Sequence, residues 1–326
     1  MNEKYTEVLS QYELEILDVK RGRGAWLCET DRGLKLLREY KGTIKRLEFE
    51  DQVFTQMEEN GRLKVDRYVR NKNGELLSNA EDGTRWIVKD WYADRECNLK
   101  DSREVLCAIE RIAFLHKILR QVEFKEEWNL GSILVQLPAG EMERHNRELI
   151  RARSFIRNKR KKSEFELCVM GNYDIFFEQA MDACQGMTVF CEGQETGTGY
   201  LCHGDLNQHH ILMCGSDVAI VEFNRMHRGM QMEDLYHFMR KAMEKHDWNL
   251  KLGTAMLETY AKVLPLSEAD RICLYYLFLY PEKYWKQINF YYNANKAWIP
   301  ARNIEKLKDL EIQQPMRNLF LSKIKG

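Results

Sequence analysis

The chain has 326 residues, in which 50 basic side chains balance 50 acidic ones, so its formal net charge at pH 7 is zero. A balanced charge produces no long-range field toward nucleic acid or an anionic membrane, and neither is expected as a partner. The 44% hydrophobic and 31% charged residues are typical of a globular protein, long enough for one large domain or two lobes.

The cysteines and the N-terminus predict a cytoplasmic site of synthesis. Nine cysteines occur without a Cys-x-x-Cys pair, and several stand among apolar neighbours, which favours buried free thiols in a reducing compartment. Residues 1–7 lack a basic start and an apolar run, so no signal peptide is predicted. The most apolar stretch, residues 272–280, is too short to span a bilayer.

The first ninety residues are predicted to form a small sheet with one helix. Apolar residues alternate with polar ones over residues 14–40 between glycine-containing turns, which predicts antiparallel strands. Thr43 is a suitable N-cap for a helix that ends at Asn60-Gly61. Two more strands are predicted over residues 64–69 and 85–92.

Helical patterns dominate after Tyr92. Ser102 is predicted to cap a helix with apolar residues at helical spacing, and Asp234 is predicted to begin a later one. The sequence therefore predicts an α+β, two-lobed fold. Its lobes are an antiparallel-sheet N-lobe over residues 1–91 and a mostly helical C-lobe over residues 92–326, with a hinge near residues 91–97.

The segment from Leu201 to Leu212 predicts a catalytic loop. It reads Leu-Cys-His-Gly-Asp-Leu-Asn-Gln-His-His-Ile-Leu. A carboxylate between His-Gly and an apolar strand is suited to accept the proton of an attacking hydroxyl, so Asp205 is the predicted base. His203 is predicted to take part in the catalytic site mainly by orienting the loop. The alternative is a turn aspartate of the kind common in loops.

A second carboxylate, Glu222, follows between Val221 and Phe223. A buried carboxylate needs a partner, and a bound metal ion is one, although the polar face of an exposed strand is the alternative. His210 stands where the pattern His-x-Asp-x-x-x-x-Asn has Asn, and it is the second predicted metal ligand. Imidazole is a poor ligand for Mg²⁺ and tolerates Mn²⁺ or Zn²⁺ better. A zinc site built from the neighbouring histidines is not favoured, since adjacent residues on an extended strand point to opposite faces.

A nucleotide-binding site also needs a cation in the N-lobe, and Arg38 on the third strand is the candidate. A solvent-facing charge on an edge strand is the alternative. Glu48 or Glu50 on the following helix is predicted to pair with Arg38, and the sequence does not choose between them. The predicted nucleotide-contacting residues are Arg38, Glu50, Asp90 and Tyr92.

One local concentration of charge spans residues 151–162. It is either a binding surface for an anionic partner or a solvated helix face, and the second interpretation is favoured because acidic residues stand nearby in the sequence, at Glu143, Glu148, Glu164 and Glu166. Aromatic residues between Tyr284 and Trp298 either line a substrate cleft or, as is more common at this density, fill the core between helices.

Four segments together resemble a known family. Residues 91–97, 113–117, 202–205 and 232–241 are similar to the spore coat protein S (CotS) group, in the aminoglycoside/choline phosphotransferase-like branch of the protein-kinase-like fold. The resemblance covers essentially the whole chain. It matches Asp205 to the catalytic base, Glu222 to the metal-binding Asp, His210 to the metal-binding Asn and Arg38 to the phosphate-binding Lys.

Three of these four positions differ from the family's active pattern. The resemblance therefore implies a CotS-like spore coat protein, degenerate or weakly active as a kinase, that acts in coat assembly or binding. Its partners would be other spore coat proteins or a small-molecule substrate. The alternative is an active phosphotransferase that uses ATP and Mg²⁺ or Mn²⁺ to phosphorylate a hydroxyl, with Asp205 as base. The oligomeric state is left open.

Overall fold

The computed structural model describes residues 3–22, 24–60, 63–92, 95–131, 133, 137–193, 199–215, 217–293 and 301–325. The helices within these ranges are α1 (Glu3–Leu9), α2 (Ile44–Asn60), α3 (Ser102–Leu119), α4 (Pro138–Arg157), α5 (Glu164–Glu192), α6 (Gln231–Lys245), α7 (Leu250–Val263), α8 (Glu268–Leu279), α9 (Glu282–Asn293) and α10 (Ala301–Lys325). The strands are β1 (Ile16–Gly22), β2 (Ala25–Thr30), β3 (Gly33–Glu39), β4 (Lys64–Val65), β5 (Tyr68–Val69), β6 (Ser78–Asn79), β7 (Arg85–Asp90), β8 (Arg95–Glu96), β9 (Tyr200–Cys202), β10 (Ile211–Cys214), β11 (Asp217–Ile220) and β12 (His227–Gly229). This is the predicted α+β fold, with a small antiparallel sheet followed by a mostly helical part.

The chain forms two compact units. The first combines Met1–Leu134 with Leu201–Arg228, and the second combines Val135–Tyr200 with Gly229–Gly326. The first unit extends beyond residue 91 because α3 packs against β11, and because β8 pairs with β10 in the segment of the predicted catalytic loop. The lobe boundary at residue 91 stays a prediction, since the compact units follow packing and not the functional division.

The main sheet of the first unit has the order β1-β2-β3-β7-β5, and β6 also pairs with β7. All of its pairs are antiparallel. One face is covered by α1 and the turn after it, where Val8, Leu9 and Tyr12 pack with Cys28 and Val88. Helix α1 was missed by the sequence analysis because seven residues are too few to show a helical period clearly.

A second sheet in the first unit has the order β4-β11-β10-β8. The strand predicted over residues 64–69 is divided between the two sheets: β4 is parallel to β11, whereas β5 is antiparallel to β7. Asp66 and Arg67 lie between these two short strands. That prediction was wrong because local alternation cannot show a strand that changes partners.

Two predicted helix starts also need correction. Asp101, not Ser102, caps α3, because its side chain accepts a hydrogen bond from the amide of Arg103. Asp234 does not begin α6; it lies in the first turn of a helix that starts at Gln231. The start of α2 is confirmed, since the Thr43 hydroxyl accepts from the amide of Arg46 at 3.2 Å. Its end at Asn60 also agrees, and Gly61 lies outside the described residues.

The second unit is built from packed helices. Helix α5 packs against α4, α8 and α10. Tyr284 and Tyr291 of α9 are buried, whereas Phe290 and Tyr292 are exposed, so only part of this aromatic group fills the core. Trp298 lies outside the described residues. No helix within the described ranges is long and apolar enough to cross a membrane.

Candidate functional site

His203 connects the predicted catalytic loop to the end of β11. Its ring is fully buried, with Nε2 at 3.0 Å from the Val221 carbonyl oxygen, while the amide of Asp205 donates to Nδ1 at 3.2 Å. A carbonyl only accepts, so these contacts assign the ring hydrogen to Nε2 and describe a neutral imidazole. His203 is thus placed to orient the loop.

Gly204 is required by the shape of this loop. Its φ of +83° lies in the left-handed region, and an added Cβ would lie 2.2 Å from the Arg225 carbonyl oxygen. That oxygen belongs to the backbone, so it cannot rotate away as a flexible side chain would.

Replacing Gly204 with Ala is therefore expected to lower the free energy of unfolding by about 3 kcal/mol or more, since backbone strain and a steric clash add. Gly215→Ala is the matched control, because φ is +65° there and nothing lies within 4 Å of an added Cβ. The control is expected to cost about 1 kcal/mol from strain alone. Urea unfolding of both variants measures the difference, and equal losses would contradict this interpretation of Gly204.

Asp205 has a carboxylate that is available to solvent. The side chain is 40% exposed, and Asn207 Nδ2 donates to its Oδ1 at 3.1 Å and to its carbonyl oxygen at 2.9 Å. The other carboxylate oxygen lies 4.0 Å from Nε of Arg225, beyond hydrogen-bonding distance. The loop therefore fixes one oxygen and leaves the second to accept a proton. Asn207 was not predicted, although an amide two residues after the aspartate is a usual way to hold such a loop.

The ring of His210 contacts the backbone of the predicted catalytic loop through Nδ1. Nδ1 lies 2.7 Å from the Asp205 carbonyl oxygen and 3.9 Å from Asp205 Oδ2. A carbonyl oxygen only accepts, so Nδ1 carries a hydrogen and does not offer a lone pair to a metal ion. A single imidazole nitrogen replaces the amide oxygen that Mg²⁺ prefers.

Glu222 forms a two-pronged ion pair with Arg38. Nη1 of Arg38 donates to Oε2 at 2.7 Å and Nη2 donates to Oε1 at 2.6 Å. Asn224 Nδ2 adds a hydrogen bond to Oε2 at 2.9 Å. Both carboxylate oxygens are therefore committed to donors within the chain, in the geometry in which arginine binds carboxylates most strongly.

The backbone of Glu222 is left-handed, with φ 70° and ψ 53°. A residue other than glycine in this region costs about 1–2 kcal/mol, which the surrounding contacts must offset. The two-pronged ion pair with Arg38 is the strongest contact that the Glu222 side chain makes. This ion pair therefore helps to offset the cost of the left-handed backbone at Glu222.

The predicted pairing of Arg38 with Glu48 or Glu50 was wrong. Glu50 instead accepts from Nε of Arg46 at 2.6 Å and from the Tyr68 hydroxyl. Arg46 lies one helical turn before Glu50, which makes it the nearer cation. Glu48 is exposed on α2. Arg46 also donates to the Asn224 carbonyl oxygen at 3.1 Å, so it links α2 to the segment that follows Glu222.

A second buried ion pair was missed by the sequence analysis. Lys89 on β7 donates to Asp66 at 3.0 Å, and the two side chains are 4% and 1% exposed. The Lys89 ammonium also lies 4.5 Å from the centre of the Tyr68 ring. The sequence feature that could have revealed this pair is a lysine within the hydrophobic stretch that forms β7. Burial raises the pKa of Asp66, while the charge of Lys89 opposes this. Arg38 with Glu222 and Lys89 with Asp66 thus form two ion pairs, in which the charges of two cations and two carboxylates are neutralised.

Asp90 and Tyr92 form hydrogen bonds with partners other than Arg38 and Glu222. Asp90 accepts from Lys35 at 2.8 Å across the β3–β7 register. The Tyr92 hydroxyl donates to the Val65 carbonyl oxygen at 3.0 Å, and burial raises the pKa of Tyr92 to about 12. Tyr92 packs beside an apolar cluster whose members come from both sheets, namely Ala25, Leu36, Trp91, Leu212, Ala219 and Val221. Residues 93–94 of the predicted hinge lie outside the described residues.

The predicted metal ligands do not fit Mg²⁺ in this arrangement. Mg²⁺ requires oxygen ligands in near-octahedral geometry, whereas both Glu222 oxygens bind Arg38 and His210 offers only a nitrogen. A metal ion at Glu222 would have to displace the guanidinium of Arg38.

The Glu222 carboxyl is expected to make stability depend on acid. Burial alone would raise its pKa, but the hydrogen bonds and charge of Arg38, with Asn224, outweigh burial and lower the pKa from 4.5 to about 2. A lowered folded-state pKa contributes stability that is present above about pH 4.5 and lost as the pH falls toward about 2.

Between about pH 6 and about pH 3 the expected loss is about 2 kcal/mol, because pH 3 still lies above the folded-state pKa. The free energy of unfolding in urea is measured from about pH 6 to about pH 3 for the unaltered protein and for Glu222→Gln, which lacks the titrating group. The loss appears as the change with pH in the difference between the two free energies. A difference that does not change across this interval would contradict the assignment.

The comparisons with known proteins concern the fold. No family model matches the sequence, and no curated protein matches it. Among solved structures, an aminoglycoside phosphotransferase from Alicyclobacillus acidocaldarius superposes with a TM-score of 0.85 at 17% identity, over 98% of this chain and 95% of that one. The chain has the protein-kinase-like fold of the aminoglycoside phosphotransferases.

Two further structures agree on this fold. A spectinomycin phosphotransferase bound to ADP and spectinomycin gives a TM-score of 0.63 at 9% identity, over 95% of this chain and 96% of that one. A microcompartment-associated aminopropanol kinase gives 0.60 at 12% identity, over 98% of both chains. At these identities the likeness establishes the fold alone.

Proposed function

We propose that this chain is a kinase-fold protein that has lost metal-dependent phosphoryl transfer and acts as a binding or assembly module. The observation that carries the proposal is the Arg38–Glu222 ion pair. It commits the predicted phosphate-binding cation and the predicted metal-binding carboxylate to each other. An active site of this class needs both groups free to face the nucleotide and its metal.

The energetic argument supports the same conclusion. A nucleotide phosphate at Arg38 would have to displace Glu222, and breaking a largely buried ion pair costs about 3 kcal/mol or more. Lys89 is no substitute, because it is held by Asp66 in the interior. Without a correctly held metal, the transition state of phosphoryl transfer loses stabilisation worth several kcal/mol.

For the biological setting, we propose a role in the spore coat, with other coat proteins as partners. This part rests on the four sequence segments that resemble the spore coat protein S group. A fluorescent fusion in a spore-forming host tests it. The fusion is expected at the outer layers of the spore, and a fusion that stays in the mother-cell cytoplasm throughout sporulation would contradict the role.

An active phosphotransferase is the second candidate, and the exposed carboxylate of Asp205 favours it. In that case Asp205 would accept the proton of a hydroxyl on a small molecule or coat component, ATP would supply the phosphoryl group, and Mg²⁺ or Mn²⁺ would be needed. Spectinomycin phosphotransferase is an example of a similar fold that binds a small molecule.

Phosphate release from ATP, with water in place of the unidentified hydroxyl acceptor, tests the non-catalytic proposal. The unaltered protein and Asp205→Asn are incubated with ATP and Mg²⁺ or Mn²⁺, and the same low background is expected from both. A rate in the unaltered protein that is lost in Asp205→Asn would refute the non-catalytic proposal. Circular dichroism of both proteins confirms that the comparison is between folded chains.

A further inference from the structure

The end of α4 and the loop that connects it to α5 carry an excess of positive charge. Residues 151–162 contain cationic side chains and no acidic one: Arg151, Arg153, Arg157, Lys159, Arg160, Lys161 and Lys162. In a chain with no net charge, such a run needs either local counter-charges or an external partner. The sequence favoured local counter-charges, and the structure tests that expectation through the ion pairs that it contains.

The acidic residues expected to neutralise the run are bound elsewhere. Three of them pair with cations outside it: Glu143 with Arg147, Glu148 with Arg144, and Glu164 with Lys308. The fourth, Glu166, is fully buried and pairs with Lys159. Apart from this contact, the run forms one ion pair with the described residues, between Arg153 and Asp174 at 2.8 Å. The expected neutralisation is therefore only partial: the face is largely exposed and Glu166 pairs with Lys159 as expected, whereas the other three acidic residues do not pair with the run.

Five cations of the run have no carboxylate partner among the described residues. Lys162 donates to the carbonyl oxygens of Arg157 and Lys159 at 3.3 and 3.0 Å, where the partial negative charge at the end of α4 attracts it. Arg151 donates to the Arg147 carbonyl oxygen at 3.3 Å. The other three, Arg157, Arg160 and Lys161, are exposed and form the tip cluster.

We propose that the tip cluster is a docking surface for an acidic segment of a partner protein. Arg157, Arg160 and Lys161 are exposed and fall within five residues of the chain, so they concentrate positive charge on one stretch of surface, and a segment rich in carboxylates would be attracted to it. Because the side chains are already solvated and unpaired, such a partner has no internal ion pair to displace. This contrasts with Arg38, whose charge is already neutralised.

Other polyanions fit the tip less well. A polybasic segment can attach to an anionic membrane by charge alone, but stable attachment takes a second, apolar anchor, and between Asn158 and Ser163 the loop contains no apolar side chain. Binding of single-stranded nucleic acid uses a basic groove with aromatic stacking platforms. The nearest aromatic residue on α4, Phe155, instead packs edge-to-face against Tyr292, at 6.0 Å between ring centres. The inference does not depend on whether the kinase-like site is active.

The test removes the three charges of the tip cluster. The variant Arg157→Gln, Arg160→Gln, Lys161→Gln is compared with a matched variant, Lys251→Gln, Lys262→Gln, Lys323→Gln. The control loses the same charge from exposed positions on α7 and α10. The probe is a fluorescein-labelled peptide of alternating Glu and Ser, and fluorescence anisotropy measures its binding at about 50 mM and about 300 mM NaCl.

The unaltered protein and the control are expected to bind the peptide, and binding should weaken as salt is raised. The tip variant is expected to lose about tenfold or more in affinity at low salt. Equal binding by the tip variant and the control would overturn the proposal. It would also be overturned if phosphatidylglycerol vesicles or a DNA oligonucleotide of the same charge bound the tip more tightly than the peptide. Equal melting temperatures of the two variants exclude unfolding as the cause.

Discussion

Replacing Glu222 with Gln is expected to lower the free energy of unfolding by about 3 kcal/mol at neutral pH. The change removes the negative charge that compensates the largely buried Arg38 guanidinium, and removing one partner of such a pair leaves an uncompensated charge. The Gln amide also places a donor where Oε1 or Oε2 accepts a hydrogen bond from Arg38. Urea unfolding measures the loss.

A double-mutant cycle isolates the ion pair itself. Arg38→Met combined with Glu222→Gln should restore much of the lost stability, because no charge is then left unpaired, and a coupling of about 2 kcal/mol is expected. Lys20 and Glu29, an exposed pair at 3.5 Å on β1 and β2, supply the control cycle with a far smaller coupling. Losses that simply add for Arg38 and Glu222 would show that the two residues do not stabilise each other.

Introducing the residues of the active kinase pattern is expected to create a response to metal. The test variant combines Arg38→Lys, His210→Asn and Glu222→Asp. In that order, the substitutions replace the guanidinium with an ammonium, supply an amide oxygen, and shorten the carboxylate side chain by one methylene. These changes free the carboxylate from its two-pronged contact and give Mg²⁺ oxygen ligands. With ATP and Mg²⁺ in excess over Kd, binding is expected to raise Tm by about 2–5 °C.

Each single substitution serves as a control for this variant. Arg38→Lys alone leaves Glu222 and His210 unchanged and is expected to show no metal-dependent rise in Tm. Glu222→Asp alone leaves His210 as the second ligand and is expected to do the same. If the triple variant folds and still does not respond to Mg²⁺, other residues must have removed the metal site, and the explanation based on these three positions fails.

The local parts of the site could be predicted from the sequence, whereas its long-range pairs could not. His203, Gly204 and Asp205 are adjacent in the chain, so their spacing alone places them in one loop. Arg38 and Glu222 are 184 residues apart, and nothing in either segment indicates that their side chains meet. The pairing arises from the packing of β3 beside the end of β11, which depends on the folded first unit.

Two ion pairs that the sequence analysis missed, Arg46–Glu50 and Lys89–Asp66, could have been suspected from neighbouring residues in the sequence. Arg46 and Glu50 are separated by one helical turn, a spacing at which opposite charges pair, so Glu50 was already accounted for within α2. Lys89 lies in a strand whose neighbours Ile87 and Val88 are buried, and a buried lysine requires a carboxylate. The identity of that carboxylate, Asp66, still depended on the tertiary fold.

The most direct measurement is a thermal shift of the unaltered protein with millimolar ATP, alone and with Mg²⁺ or Mn²⁺. The Arg38–Glu222 pair predicts that neither metal ion adds to the melting temperature observed with ATP alone. A metal-dependent rise in Tm, accompanied by phosphate release that Asp205→Asn abolishes, would contradict the central claim that the ion pair has closed the metal site.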